Sequence, residues 1–304
     1  MNLRQIRYLI HVVDSGMSIS KASAALHTSQ PSISRHVLGL EEELGIQIFL
    51  RRKKRLTGLT AAGAEALRAA RHLLREVDNL QKIGRDYGDQ EDQSITIAAS
   101  HTHARYSLPR VVQEFRKLHP KVRLVLRQGD PAQITEWVAS GNADLSISAE
   151  PSNTNPDVVF FPCYEHHRVI LTPNGHPLLK FRRVSLKALA DYPLITYEAS
   201  FKVYGQIMEV FRSASLNPQF VLSATDVDVI KTYVKCGMGI AIVAALAYDP
   251  DEDKSLRAIN AQHLFPPVTI SLGLRRATYV SAYTYDFIEL FAPNLRRERI
   301  ETMK

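Results

Sequence analysis

Residues 18–60 read SISKASAALHTSQPSISRHVLGLEEELGIQIFLRRKKRLTGLT, and this stretch decides the architecture at the start of the chain. Ser18 precedes a short run with Ile19, Ala22, Ala25 and Leu26 on one side, the spacing of a brief helix. The polar break His27-Thr28-Ser29 interrupts it. A second helical pattern opens near Gln30, with Pro31 in its first turn, where a missing N–H costs nothing. Ile33, Val37, Leu40 and Leu44 make the expected buried stripe of that helix, and Gly45 closes it. The basic run Arg51-Arg52-Lys53-Lys54-Arg55 then follows Ile48-Phe49, short and flanked by apolar residues, which suits a β-ribbon or a loop. Upstream, Leu3, Ile6, Leu9, Ile10 and Val13 fall at helical spacing, and Gly16 ends that run.

Charge concentrates in the same region. The chain carries +7 overall, and residues 1–60 hold nine Lys/Arg against four Asp/Glu. Residues 61–90 hold five of each, so the positive excess sits in the first fifth of the chain and points to a polyanion partner. A short brace helix, a helix with a polar entry and a basic wing together form the layout of a winged helix-turn-helix. In that layout the N-terminal residues of the second of these helices meet base edges in the major groove of double-stranded DNA. Ser29, Gln30, Pro31, Ser32, Ser34 and Arg35 are the expected contact residues. Arg35 suits either a bidentate contact to guanine or a phosphate. Arg51, Arg52, Lys53, Lys54 and Arg55 would touch phosphates or the adjacent minor groove. A plain three-helix bundle with a solvated basic loop accounts for each piece singly, but not for their order and proximity.

From Thr60 to Tyr87 a single long helical pattern runs, with Ala66, Ala70, Leu73, Val77, Leu80 and Tyr87 on a narrow seam. Pairing with a second chain suits that seam, and packing on its own domain is the alternative. Residues 88–93 read as a hinge. Beyond them strands alternate with helices: strands at 94–99, 122–126, 145–148, 168–172, 193–197, 220–222 and 240–243, helices at 108–118, 132–139, 203–214 and 227–235. Helices between strands imply parallel βαβ units, which bind ligands at the carboxyl ends of their strands. The chain contains 45% hydrophobic and 23% charged residues, which excludes a disordered chain. Two cysteines form no disulfide framework, and no signal peptide or membrane-spanning run is visible, so the expected location is the cytoplasm.

The stretch from Leu3 to Thr60, followed by the start of the long helix, closely resembles the N-terminal module of LysR-type transcriptional regulators. The resemblance extends over the whole chain. It implies an N-terminal all-α winged helix-turn-helix at 1–59, a linker helix and hinge at 60–92, and a two-lobed α/β effector domain at 93–304, like a periplasmic solute-binding protein. Lobe I would comprise 93–162 with 267–304, and lobe II 163–266. The resemblance further implies a homotetramer built as a dimer of dimers, contact with RNA polymerase, and no cofactor beyond a small-molecule effector. Within the family, AASHTHARYSLPRVVQEFRKLHP (98–120), LVLRQGDP (124–131), PLITY (193–197), SATDVDVIKTYVKCGMGIAIV (223–243) and AQHLF (261–265) are similar to the CysB and Cbl subgroup, which governs sulfate assimilation and organosulfur use. The effector so implied is a small anion such as sulfate, O-acetylserine or N-acetylserine. A carboxylate effector of another pathway is the alternative.

The residues of the expected cleft agree with an anion. Ser100, His101, Thr102 and His103 follow a strand and lead into a helix, offering hydroxyls and helix N–H groups. By resemblance, Ser100, Thr102, His103, Ala149, His166 and Lys202 face the effector. His103 stands where the sulfur regulators usually have Gln, Ala149 where a hydroxyl residue is common, Lys202 where Thr is common, and His166 where an aromatic is common. Lys202 would add positive charge if it turns inward, and snorkelling to solvent is the alternative. His103 and His166 are candidates to tune the site near neutral pH. His166 and His167, adjacent on a strand, point to opposite faces and make no metal pair. No nucleophile motif, phosphate loop or dinucleotide fingerprint is present, so no catalytic residue and no enzyme activity are expected. A transported solute-binding protein would lack the basic module and carry an export signal.

Overall fold

The computed structural model describes residues 1–52, 55–88, 93–149 and 155–303, so Lys53, Lys54 and residues 89–92 of the expected hinge lie outside the described residues. The chain divides into two compact units, Met1–Tyr87 and Gly88–Lys304. Both expected architectures are present.

The first unit opens with α1 (Leu3–Asp14), started by a capping box in which the Asn2 and Gln5 side chains each accept the other's backbone N–H. Ser18 caps α2 (Ile19–Ala25) and Ser29 caps α3 (Gln30–Leu44). Gly45 ends α3 in the left-handed region at φ +66°, a conformation that costs glycine least. Ile6, Leu9, Val12, Ile33, Val37 and Leu40 are buried in one shared core. Leu44, expected on that stripe, is instead 43% exposed, because α3 runs past the core in its last turn before Gly45. The basic run forms an antiparallel ribbon, β1 (Phe49–Arg52) with β2 (Arg55–Leu59), and Arg52 pairs with Arg55 across it.

The long helix α4 (Ala61–Tyr87) treats its apolar seam in two ways. Leu67 and Ala70 are buried in the α1–α3 core, with Ala66, Leu73 and Leu74 packed against it. Leu80 and Tyr87 are 68% and 84% exposed. The first half of the seam therefore serves its own domain, and only the second half is left for a partner. A Cβ on Gly63 would lie 2.0 Å from the Ile48 carbonyl oxygen, so glycine lets α4 rest on the base of the ribbon.

Among its described residues the second unit has two five-stranded sheets. Its chain order is β3 (Ser94–Ala99), α5 (His101–Tyr106), α6 (Leu108–Leu118), β4 (Arg123–Gln128), α7 (Pro131–Ala139), β5 (Leu145–Ala149), β6 (Val158–His166), β7 (Arg168–Pro173), α8 (Leu186–Ala190), β8 (Leu194–Tyr197), α9 (Lys202–Ser213), β9 (Phe220–Ala224), α10 (Val227–Lys235), β10 (Ile240–Ala244), β11 (Leu256–Asn260), β12 (Val268–Arg275), α11 (Ala282–Phe291) and α12 (Arg297–Met303). Lobe I holds the sheet β4-β3-β5-β12-β6, and lobe II the sheet β11-β7-β10-β8-β9. β3 is parallel to β4 and β5, and β8 is parallel to β9 and β10. β6, β7, β11 and β12 pair antiparallel, so the sheets are mixed rather than wholly parallel. The reason lies in the connections. β6 and β7 are separated only by His167, and the chain returns to lobe I between β11 and β12 without a helix. The first crossing thus falls at His167, beyond the 162/163 division expected from the sequence. Among the described residues, no helix is long and apolar enough to cross a membrane.

Candidate functional site

The face of α3 away from the core presents Gln30, Pro31 and Arg35, all exposed, with Ser32 and Ser34 half-buried beside them. Among the described residues Arg35, Arg52 and Arg55 have no ion-pair partner, so their charges stand open to solvent. Ser29 also acts locally, since its hydroxyl oxygen accepts the Ser32 N–H at 3.3 Å, which leaves the hydroxyl proton for a further acceptor. His36 is pinned by the Ser32 carbonyl at 2.8 Å and an edge contact to the Tyr8 ring.

Arg51 differs from Arg52 and Arg55. Its Nη2 donates to Glu41 Oε2 at 2.6 Å, and Glu41 Oε1 accepts the backbone N–H groups of Ile48 at 2.8 Å and Phe49 at 3.1 Å. Glu41 reads in the sequence as the first of three acids at the far end of α3. In the fold it is buried beneath the ribbon, while Glu42 and Glu43 are exposed.

In the second unit a cavity of about 380 Å³ opens between the lobes. Ser100, Thr102, His103, Ala149, His166 and Lys202, separated by up to a hundred residues in sequence, all line it. Ser100 begins α5 but makes no side-chain capping bond, so its hydroxyl is available to the cavity. Helix α5 spans only His101–Tyr106, too short for much of a macrodipole, and the polar side chains carry more of the site's character than the helix end does. Lys202 starts α9 with its side chain exposed at the rim.

His103 is buried and its Nδ1 lies 3.0 Å from the Ser107 hydroxyl, which also accepts the Tyr164 hydroxyl at 3.1 Å. Burial, helped by neighbouring His166, pushes its pKa down to about 3. His103 is therefore neutral at neutral pH, and tuning near pH 7 does not come from it. Its ring centroid is 6.2 Å from that of His166.

The lobes meet through a polar network at one side of the cleft. From lobe I, His101 Nε2 lies 3.1 Å from Asp226 Oδ1 and 3.0 Å from Asp228 Oδ2. Arg105 Nε also reaches Asp228 Oδ2 at 2.9 Å, and the Tyr106 hydroxyl donates to Asp228 Oδ1. Burial by itself would raise the Asp228 pKa, but hydrogen bonds from His101 and Tyr106 and the charges of Arg105 and Lys231 outweigh it and hold the carboxyl below its ordinary value. His101, Asp226 and Asp228 have the composition of a metal site. A guanidinium on the same carboxylate oxygen makes the cluster a poor fit for a cation, and it is better described as an inter-lobe ion-pair network.

Comparison with known proteins gives these features a family. A model described as the bacterial regulatory helix-turn-helix protein, lysR family, matches residues 3–64, and one described as the LysR substrate binding domain matches residues 88–296. The chain belongs to the LysR family of transcriptional regulators. This LysR regulator is 43% identical over 300 residues to the HTH-type transcriptional regulator SsuR of Burkholderia cenocepacia, covering 99% of this chain and 97% of that protein. It is 42% identical over 301 residues to the CysB regulator of the same organism, covering 99% and 96%. The crystal structure of the cofactor-binding domain of the Cbl transcriptional regulator superposes with a TM-score of 0.67 at 38% identity, covering 71% of this chain and 97% of that one.

Sequence reasoning missed two prominent residues in the LysR regulator's cleft. Arg168, at the start of β7, is only 1% exposed yet lines the cavity, with Nη1 donating to the Pro266 carbonyl at 3.2 Å and Nη2 to Gln206 Oε1. Tyr197, at the end of β8, hydrogen-bonds the Thr102 side chain across the lobes, and burial pushes its phenol up to about 12. Tyr197 could have been found by position, at the carboxyl end of a strand the sequence had marked, whereas Arg168 begins β7 and reaches the cleft only through its antiparallel pairing with Ala244 at the carboxyl end of β10.

Proposed function

We propose that this DNA-binding transcriptional regulator controls sulfur-assimilation or organosulfur-utilisation genes in response to a small anion held between the lobes of its C-terminal domain. One observation carries the anion reading. The hydroxyls of Ser100 and Thr102 share a single cavity with the buried guanidinium of Arg168 and with Lys202. Hydroxyl donors beside cationic side chains suit a sulfate or a carboxylate. Asp130 and Asp226 also line the cavity, but the first accepts two backbone N–H groups of α7 and the second is engaged by His101 and the Asp228 N–H, which offsets their charge. His103, His166 and Ala149 then shape the wall around the anion. Full-length similarity to SsuR and CysB supports the link to sulfur.

On the DNA side, Ser29, Gln30, Pro31, Ser32, Ser34 and Arg35 of α3 enter the major groove, with Arg52 and Arg55 on phosphates. The exposed Leu80 and Tyr87 of α4 join a second copy, two such dimers form the tetramer, and the assembly contacts RNA polymerase. Sulfate, thiosulfate, O-acetylserine, N-acetylserine and adenylyl sulfate, each added to the full-length chain in a thermal-shift measurement, test the effector. One of them at a hundredfold excess over its Kd should stabilise the protein by about 2.7 kcal/mol. Stabilisation by a different carboxylate, with none from these five, would move the regulator to another pathway.

A further inference from the structure

We propose that Glu41 is the residue that positions the wing against the recognition helix, and that Arg51, through its pairing with Glu41, is withdrawn from the wing's set of phosphate contacts. The inference rests on the wing lying against DNA. It concerns the division of labour among the wing's cations, which their run in the sequence does not distinguish.

The geometry is a clamp on the base of the ribbon. Glu41 lies on α3 and is only 7% exposed, and a carboxylate at that depth needs its lone pairs filled. They are filled by the N–H groups of Ile48 and Phe49, the residues where the chain turns into β1, and by Arg51. From the other side, α4 holds the same segment. The Thr60 N–H donates to the Ile48 carbonyl at 3.0 Å, the Thr60 hydroxyl donates to the Gln47 carbonyl, and Gly63 packs on Ile48. Residues 47–49 are thus fixed between the helix that carries Arg35 and the helix that leaves the domain. Of these ties only the Glu41 carboxylate runs from α3 by a side chain to the ribbon's backbone, so it sets where Arg52 and Arg55 stand relative to Arg35.

The same carboxylate changes the charge count. All three arginines are exposed, but Arg51 commits its guanidinium to an acid of its own chain at 2.6 Å, whereas Arg52 and Arg55 have no ion-pair partner among the described residues. A cation already neutralised by a neighbour releases few counterions from DNA, so it should contribute little to the salt dependence of binding.

The test measures log Kd against log salt for the full-length chain on a duplex recovered by in vitro selection with the unsubstituted protein. Arg52→Ala and Arg55→Ala should each lower the slope by about 0.9, the value of one phosphate contact. Arg51→Ala should leave the slope unchanged. Glu41→Ala removes no cation, yet should lower the slope by about two contacts, and adding Arg52→Ala to it should change nothing further. Glu41→Gln, whose amide oxygen still accepts both backbone N–H groups, should recover the Arg52 and Arg55 contributions, and it serves as the working variant if Glu41→Ala does not fold. A loss of slope in Arg51→Ala equal to that in Arg52→Ala overturns the proposal. So does a full Arg52 contribution surviving in the Glu41→Ala background, or a Glu41→Gln protein that folds but loses those contributions.

Discussion

The face expected to meet DNA is made from successive turns of one helix and a ribbon that follows it closely, whereas the cleft collects residues from Ser100 to Val268. In the first region the side chains that matter are neighbours in sequence, and helical periodicity alone puts Gln30, Ser34 and Arg35 outward and Ile33 and Val37 inward. In the second, a serine that begins α5, a tyrosine at the end of β8 and an arginine at the start of β7 become neighbours only when two sheets fold and close on each other. Local order survives small errors in packing, and long-range convergence does not. The DNA-reading face should therefore be sensitive to a few backbone approaches, and the cleft to individual polar groups.

Gly63→Ala attacks the first region at its tightest backbone contact. Forcing a methyl to within 2.0 Å of the Ile48 carbonyl should displace α4 from the ribbon and cost about 3 kcal/mol or more. Thermal unfolding should show the N-terminal transition falling while that of the ligand domain stays in place; a common shift of both would mean that the two regions are not independent. Thr102→Val removes one hydroxyl at nearly constant volume. Calorimetry with whichever of the five candidates stabilises the parent should find about 1.5–3 kcal/mol less affinity, with operator binding in the absence of ligand preserved. Normal effector affinity in this variant would take Thr102 out of the site.

Arg35→Ala should reverse that pattern, losing about 1–3 kcal/mol of operator affinity and relaxing sequence preference if the guanidinium meets a base, with effector affinity untouched. Competition between selected and random duplexes reads both effects. The last expected effect concerns acid. His103 has a folded-state pKa near 3 against an ordinary 6.5, so the folded protein holds fewer protons than the unfolded chain between these values. Its contribution to stability is complete above about 6.5 and is lost as pH falls through that window. His103→Gln should flatten the denaturation midpoint between pH 6 and 4 relative to the parent, and an unchanged acid slope would show that His103 is not held neutral.

Legibility followed the same divide. Helices α1 to α4 and their caps were readable because Ser18, Ser29 and Gly45 signal locally, and the basic run announced its ribbon. Leu44 was misplaced because periodicity says which side a residue faces but not how far the core extends. The seam of α4 was read as one surface, although Leu67 and Ala70 are buried in the core of their own domain while Leu80 and Tyr87 remain exposed. In the second unit the parallel strands and β7 were legible, though not the antiparallel pairing of β7, and β6, β11 and β12 were not, since they join without the helices that mark βαβ units.

By itself the amino-acid sequence determined the order of helices, the basic excess at the start of the chain, the helix that carries Arg35, and, through resemblance, the six polar and small residues that line the cleft. Tertiary structure alone decided that Glu41 is buried and pairs with Arg51, that His103 is neutral, that Arg168 and Tyr197 belong to the cleft wall, and that His101 reaches Asp226 and Asp228 from the other lobe. The physical reason is range. Capping, periodicity and net charge depend on residues a few positions apart, whereas burial and ion pairing depend on which distant segments pack together, and a charge or a pKa has no fixed value until that packing is made.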